Sequence, residues 1–162
     1  ISPETLECYD VIERILTLTE KYKVNKNLLT IEVTENTAMN NIESGKVTLT
    51  EISDLGLNIA IDDFGTGYSS LNYLKTFPSD IIKFDRSFIT NLQENDINHE
   101  ILKSLIPLCH RLNKKVIVEG IEKIEQADIL NELNITGYQG YLYSYPITSE
   151  KATKMLINKK LT

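Results

Sequence analysis

Two adjacent carboxylates, Asp62 and Asp63, close the apolar run Asn58-Ile59-Ala60-Ile61 and open the segment Phe64-Gly65-Thr66-Gly67-Tyr68-Ser69-Ser70-Leu71. Successive side chains on a strand point to opposite faces. Neighbouring aspartates therefore converge on one point only where the strand ends and the chain turns. Gly65 and Gly67 supply the backbone freedom for such a turn. Paired anions at a strand end, under a glycine-bracketed loop, suit a divalent-cation site with a mobile cover. An ordinary Asp-Phe-Gly-Thr-Gly turn fits the same residues, with the carboxylates solvated or capping a helix after Ser69.

The layout recurs along the chain. Other apolar strands end in Ile31-Glu32-Val33-Thr34-Glu35, Lys83-Phe84-Asp85, Glu119-Gly120-Ile121-Glu122 and Gln139-Gly140. Polar groups inside apolar strands are costly unless paired or liganded, and five strands that share the layout argue for a common site. Carboxylates without thiols or imidazoles select hard cations such as Mg²⁺ or Mn²⁺. There are enough for two ions about 3.5–4 Å apart, as in two-metal phosphoryl transfer, with one aspartate as bridge and a water between them as nucleophile. Lys83 would then hydrogen-bond that water or stabilise charge developing at phosphorus. Strand by strand, blander roles exist. Lys83 and Asp85 could form an ion pair at a barrel mouth, and Glu119 and Glu122 could complement the dipole of the next helix. Glu35 and Glu122 suit loop anchoring or support better than direct ligation, and Gln139 suits either substrate contact or polar filling.

The elements that would position these residues follow from periodicity and punctuation. Ser2-Pro3-Glu4 reads as a helix start, with Leu6, Tyr9, Ile12, Ile15 and Tyr22 at helical spacing. Strands are predicted at Leu28 to Val33, Asn58 to Ile61, Asp80 to Phe84, Lys115 to Val118 and Gln139 to Tyr143. Between and after them, helices are predicted near Val47 to Leu55, closed by Gly56, at Ser69 to Lys75, and at Ile97 to Leu112 with Pro107 as a kink. Others follow near Ile124 to Leu133 and after Ser149. Strand–helix alternation means a parallel sheet, either doubly wound or closed as a barrel, with its site at the C-terminal strand ends.

The 162 residues suit one domain, with 41% apolar and 25% charged residues. A net charge of -6 with no basic stripe argues against nucleic-acid binding, DNA included, but not against a phosphate-bearing substrate bridged by cations. No apolar run is long enough for a membrane span and no secretory signal opens the chain. Cys8 and Cys109 lack metal-ligand spacing and read as free thiols in a reducing compartment, so a cytoplasmic location is expected. Cys109-His110 reads as the last turn of a helix, and His99 has no assigned role.

These blocks, taken together and in order, resemble the EAL-domain family, which hydrolyses the bacterial second messenger cyclic di-GMP. The resemblance runs through Ile31 to Glu35, Asp62 to Leu71, Lys83-Phe84-Asp85-Arg86-Ser87-Phe88, Glu119 to Glu122 and Gln139-Gly140-Tyr141. It implies metal ligation by Glu32, Asp62, Asp63 and Glu119, with Lys83 positioning the attacking water; Lys83, Glu119 and Asp63 are thus the implied catalytic residues. It further implies that Glu35 holds the loop containing Gly65, Thr66 and Gly67, a segment also used in dimer contacts. Asp85 and Glu122 would support the metal ligands, and Gln139 would lie near the substrate.

The family's barrel begins with a strand whose Glu-Ala-Leu signature supplies a metal ligand, and a later Asn-Leu-Ser-Pro-like segment supplies another. This chain opens Ile1-Ser2-Pro3 and contains neither. Closed barrels of this type have about 250 residues. The expected fold is therefore α/β, an incomplete (β/α)8 TIM-type barrel of about five C-terminal strand-helix units, residues 1–162 being the C-terminal portion of one EAL-type domain. The expected function is metal-dependent hydrolysis of cyclic di-GMP by the parent domain, with this chain inactive alone and its exposed edges favouring dimers or larger assemblies. A non-catalytic module that binds cyclic di-GMP or a protein is the alternative; a different metal-using barrel enzyme is a more distant one. Thr136 stands where the family often has aspartate, and Tyr145 where it usually has a basic residue, which bears on substrate contacts.

Overall fold

The computed structural model describes residues 9–40, 42–67, 71–94 and 96–158. In chain order it contains α1 (Tyr9–Lys21), β1 (Thr30–Thr34), α2 (Glu35–Asn40), α3 (Ile42–Asp54), β2 (Asn58–Phe64) and α4 (Leu71–Thr76). Then come β3 (Ile81–Phe84), α5 (Ile97–Arg111), β4 (Lys115–Glu119), α6 (Ile124–Asn131), β5 (Gly137–Gln139) and α7 (Ser149–Ile157). Short 3₁₀ turns lie at Lys26–Leu28 and Arg86–Phe88. The Ser2-Pro3-Glu4 helix start, Cys8, and Tyr68 to Ser70 of the glycine loop lie outside the described residues.

The five strands are parallel and lie side by side in chain order. A doubly wound sheet reverses its order at a switch point, whereas an unbroken order is that of a barrel wall. Right-handed crossovers then place the connecting helices on one face. That face carries Val33, Ile59, Ile61, Ile82, Phe84, Val116 and Val118, buried with Leu49, Ile52, Leu102, Ile106 and Leu130 from the helices. Strand alternation turns Glu32, Asp62, Lys83 and Glu119 to the opposite face. The register brings them together on a diagonal. Glu32 pairs with Ala60, two residues before Asp62; Ile61 pairs with Ile82, so Asp62 and Lys83 follow side by side; and Lys83 pairs with Ile117, two residues before Glu119.

Several boundaries differ from those read in the sequence. β1 begins at Thr30 because Asn25 accepts the Asn27 amide at 3.1 Å and starts the 3₁₀ turn that takes up Leu28. The predicted open edge is thus exposed at Leu28 (78%), whereas Val33 is buried. Glu35 does not end a strand: the Thr34 hydroxyl accepts the Thr37 amide at 3.3 Å, and α2 starts at Glu35. β2 continues past Ile61 to Phe64, which pairs with Phe84. β5 comes earlier than predicted and stops at Gln139. Beyond it the chain turns, with the Leu142 amide donating to Ile121 at 3.0 Å and the Tyr143 amide to Gly140 at 3.1 Å. α5 continues across Pro107. Asp96 caps its start by accepting the His99 amide at 2.7 Å, and His110 and Arg111 complement the dipole at its end.

Cys109 is a free thiol buried in the core, and burial pushes it up to about 11. Beside it Lys114 is a buried lysine, lowered from its ordinary value by desolvation. Its ammonium donates to the Phe77 carbonyl at 3.2 Å and to the carbonyl and hydroxyl of Ser79, both at 2.8 Å. Lys114→Met removes the donor and leaves the Ser79 carbonyl and hydroxyl short of a partner, while the Phe77 carbonyl keeps the Ser79 amide at 2.8 Å. The expected cost is about 1–3 kcal/mol of folding stability, read as a lower urea midpoint with an unchanged slope.

Candidate metal centre

Lys83 is the centre of the polar face. Its side chain is 3% exposed, and Nζ lies 2.9 Å from Glu32 Oε1, 3.0 Å from Asp62 Oδ1 and 2.6 Å from Glu119 Oε1. Burial disfavours the ammonium, yet the attraction of Glu119, Glu32 and Asp62 outweighs it and holds the lysine above its ordinary value. The Lys83–Asp85 pair considered from sequence gives way to these contacts. Asp85 turns to the backbone, accepts the Ser87 amide at 2.8 Å and caps the Arg86–Phe88 turn.

The two neighbouring aspartates do converge, by a different route from a strand end. The β2–β3 register slips between Ile61 and Phe64, and Asp63 sits at φ 53. This local bulge breaks the alternation while the strand goes on. Asp62, Asp63 and Glu119 each present an oxygen, all within 4.8 Å of one another. Burial raises the Asp63 carboxyl above its ordinary value, with Asp62 and Asp85 adding to the effect and Lys83 opposing it. Glu119 is raised for the same first reason, with Lys83 pulling it down and Asp62 and Glu32 pushing it up.

These residues fit a cation. Asp62 Oδ1 and Glu119 Oε1 are buried without a well-formed hydrogen bond; the ammonium is close enough to attract both but is shared with Glu32. Among the described residues, Glu32, Asp62 and Glu119 share the Lys83 ammonium and Asp63 turns into the same cluster, so carboxylates outnumber lysines there. An all-oxygen donor set is that of a hard divalent ion.

The surrounding residues fall into two groups. Glu35 is fully buried, and its Oε2 accepts the Gly65 amide at 2.7 Å. Its other oxygen lies 3.2 Å from where a Cβ on Gly67 would stand. Thr66 donates its hydroxyl to the Asp63 carbonyl at 2.8 Å, and Gly65 sits at φ 96 with the Phe88 ring where a side chain would project. Glu122 and Gln139 are not drawn into the lysine cluster. With Asp85 and Glu119 they line an adjoining cavity of about 620 Å³. Sequence reasoning missed the stacked rings of Tyr141 and Tyr145 on its wall, with centroids 4.5 Å apart. The alternation Tyr141-x-Tyr143-x-Tyr145 was the available signal.

The family model for the EAL domain matches residues 1–146. The chain belongs to the EAL-domain family. It is 38% identical to the signaling protein YkoW of Bacillus subtilis over 98% of this chain and 20% of that protein. With the bifunctional diguanylate cyclase/cyclic di-GMP phosphodiesterase MucR of Pseudomonas aeruginosa it shares 38% identity over 81% of this chain and 19% of that protein. The solved PaMucR phosphodiesterase in complex with c-di-GMP superposes with a TM-score of 0.87 at 34% identity, covering 94% of this chain and 62% of that one. A manganese and cyclic di-GMP complex of BlrP1 from Klebsiella pneumoniae gives 0.84 at 28% identity, covering 90% and 38%. The chain thus spans about a fifth of the length of the curated relatives it matches.

A cation at this EAL centre competes with protons for Asp63 and Glu119. Because both carboxyls are raised, they take up protons at higher pH than ordinary carboxylates. Mn²⁺ affinity, measured by calorimetry across an acid titration, is expected to weaken at a higher pH than carboxylates of ordinary value, near about 4, would allow. A loss of affinity confined to the range where ordinary carboxylates protonate would contradict the assignment.

Proposed function

We propose that this segment supplies the cation-binding and water-orienting part of a cyclic di-GMP phosphodiesterase site, and that the longer protein hydrolyses cyclic di-GMP to linear pGpG. The observation that carries the reading is the buried Lys83 ammonium among Glu32, Asp62 and Glu119, with Asp63 turned into the same cluster. Mg²⁺ or Mn²⁺, when bound, supplies Lewis acidity and a water that deprotonates near neutral pH. Glu32, Asp62, Asp63 and Glu119 would hold the cations. Lys83, kept charged by its neighbours, donates hydrogen bonds and does not act as a base. It orients the attacking water and offsets the charge that builds on phosphorus. The water oxygen bonds to phosphorus, the bond from phosphorus to the bridging ribose oxygen breaks, and the proton that the water gives up ends on that leaving oxygen through solvent.

Glu35 holds the loop over the site through Gly65. Gln139, level with Glu119 and on the cavity wall, contacts the substrate. No helix among the described residues is long and apolar enough to cross a membrane.

Turnover is expected from a version extended on its N-terminal side to the length of the solved relatives, assayed with Mn²⁺ and chromatographic detection of the linear dinucleotide. This chain alone is expected to give little. Lys83→Met in the extended protein should lower kcat about 100-fold or more. Cyclic di-GMP binding without cleavage would replace the enzyme with a binding module, and neither binding nor cleavage would end the reading.

The exposed β1 edge and the apolar side chains of Leu28, Tyr141 and Leu156 further favour self-association. Light scattering of this chain should give a dimer or larger mass; a monomer at all concentrations would contradict it.

A further inference from the structure

We propose that Gln126 is a positioning residue: it fixes the loop after β4, which follows Glu119, against the turn after β3, which follows Lys83. The idea rests on the cation-site reading for its functional consequence, but its structural half stands apart from it. Gln126 is half-buried in the first turn of α6. Its Oε1 accepts the backbone amides of Glu122 at 2.9 Å and Lys123 at 3.0 Å. Its Nε2 donates to the carbonyl of Ile89 at 3.0 Å.

The first two bonds are local. A glutamine in a helix's first turn commonly reaches back to its own N-terminus in this way. The third is not local: it spans 37 residues and joins the loop after one strand to the turn after the neighbouring strand. Both halves need an amide, which accepts at oxygen and donates at nitrogen. An ionised glutamate accepts but cannot donate, and a lysine donates but cannot accept.

The segments so joined already meet closely. Gly120 sits at φ 77, and Arg86 Cβ occupies the space that a side chain on Gly120 would need. Glu119 immediately precedes that contact on one side, and Asp85 precedes it on the other. A shift of loop against turn therefore moves the Glu119 carboxylate relative to Lys83, 2.6 Å away. The Ile89 carbonyl also accepts the Leu92 amide at 3.0 Å. Loss of the Gln126 donor does not orphan it, so the consequence is one of position.

Two variants separate the clamp from the helix cap. Gln126→Glu keeps the acceptor for Glu122 and Lys123 but loses the donor to Ile89; Gln126→Met keeps length and loses both. Amide hydrogen exchange by NMR and Mn²⁺ calorimetry are read on each. In Gln126→Glu the Glu122 and Lys123 amides should stay protected, while those of Ile89 and Leu92 exchange about tenfold faster and Mn²⁺ affinity falls about tenfold. Gln126→Met should show the same losses together with exposure of the Glu122 and Lys123 amides. If Gln126→Glu matches the unmodified chain at Ile89 and Leu92, Gln126 is a helix cap alone and the proposal fails. Faster exchange with Mn²⁺ affinity intact also overturns it, since the turn then loosens without moving Glu119. An unmodified chain that binds no Mn²⁺ sinks the cation reading instead, and the exchange rates still decide the clamp.

Discussion

A lysine ammonium buried among carboxylates from three different strands sets a constraint on everything around it. Lys83 belongs to β3, Glu32 to β1, Asp62 to β2 and Glu119 to β4. They meet only if all four strands are parallel, adjacent and in phase. A slip of one residue in any strand would send its charged group into the apolar layer and an apolar group into the site. The hydrophobic alternation on the helix face therefore enforces the polar arrangement on the other. Val33, Ile61, Phe84 and Val118 are buried, and their immediate neighbours in sequence are the residues that carry charge into the site. Core packing and site geometry are one specification seen from two sides.

The loops above the strand ends are held as tightly as the strands. Phe64, Phe84 and Phe88 form an edge-to-face ladder, with centroids 5.4 Å and 5.6 Å apart. The ladder seats the Arg86–Phe88 turn on the core. That turn in turn fills the space beside Gly65 and Gly120. Both glycines adopt positive φ, a conformation that a side chain would strain, and both lie next to segments bearing carboxylates of the Lys83 cluster. The buried Glu35 ties the loop after β2 from the other side. Preorganisation of this kind keeps like charges together at a cost in stability, and a bound cation would offset that cost.

Membership of the EAL-domain family frames these features without making this chain equivalent to its relatives. The substitutions noted in the sequence have distinct physical meanings. The Thr136 hydroxyl accepts the Val116 amide at 3.0 Å, so it serves the β4–β5 connection. Tyr145, where the family usually places a base, stacks on Tyr141 and gives the cavity an aromatic wall. The adjoining cavity therefore differs in character from the anionic cluster: stacked rings stand on its wall beside Asp85, Glu119 and Glu122.

The sequence by itself determined the five strands in their order, the helix closure at Gly56 and the carboxylate-rich blocks that those strands carry. Those signals are local, since alternation, capping and residue chemistry act over a few positions. It did not reveal that β2 continues through Asp63, that a helix, α2, lies at Glu35–Asn40, or that β5 stops at Gln139. Nor did it reveal that Lys83 would meet Glu32, Asp62 and Glu119 in place of Asp85, or that Gln126 would reach Ile89. Each of these depends on a partner distant in sequence. The bulge at Asp63 is stable because Phe64 returns to pair with Phe84, and the lysine's partners are chosen by the register of neighbouring strands. Only the tertiary structure decides such matters, because a side chain's electrostatic partner is whatever the fold brings within a few ångströms.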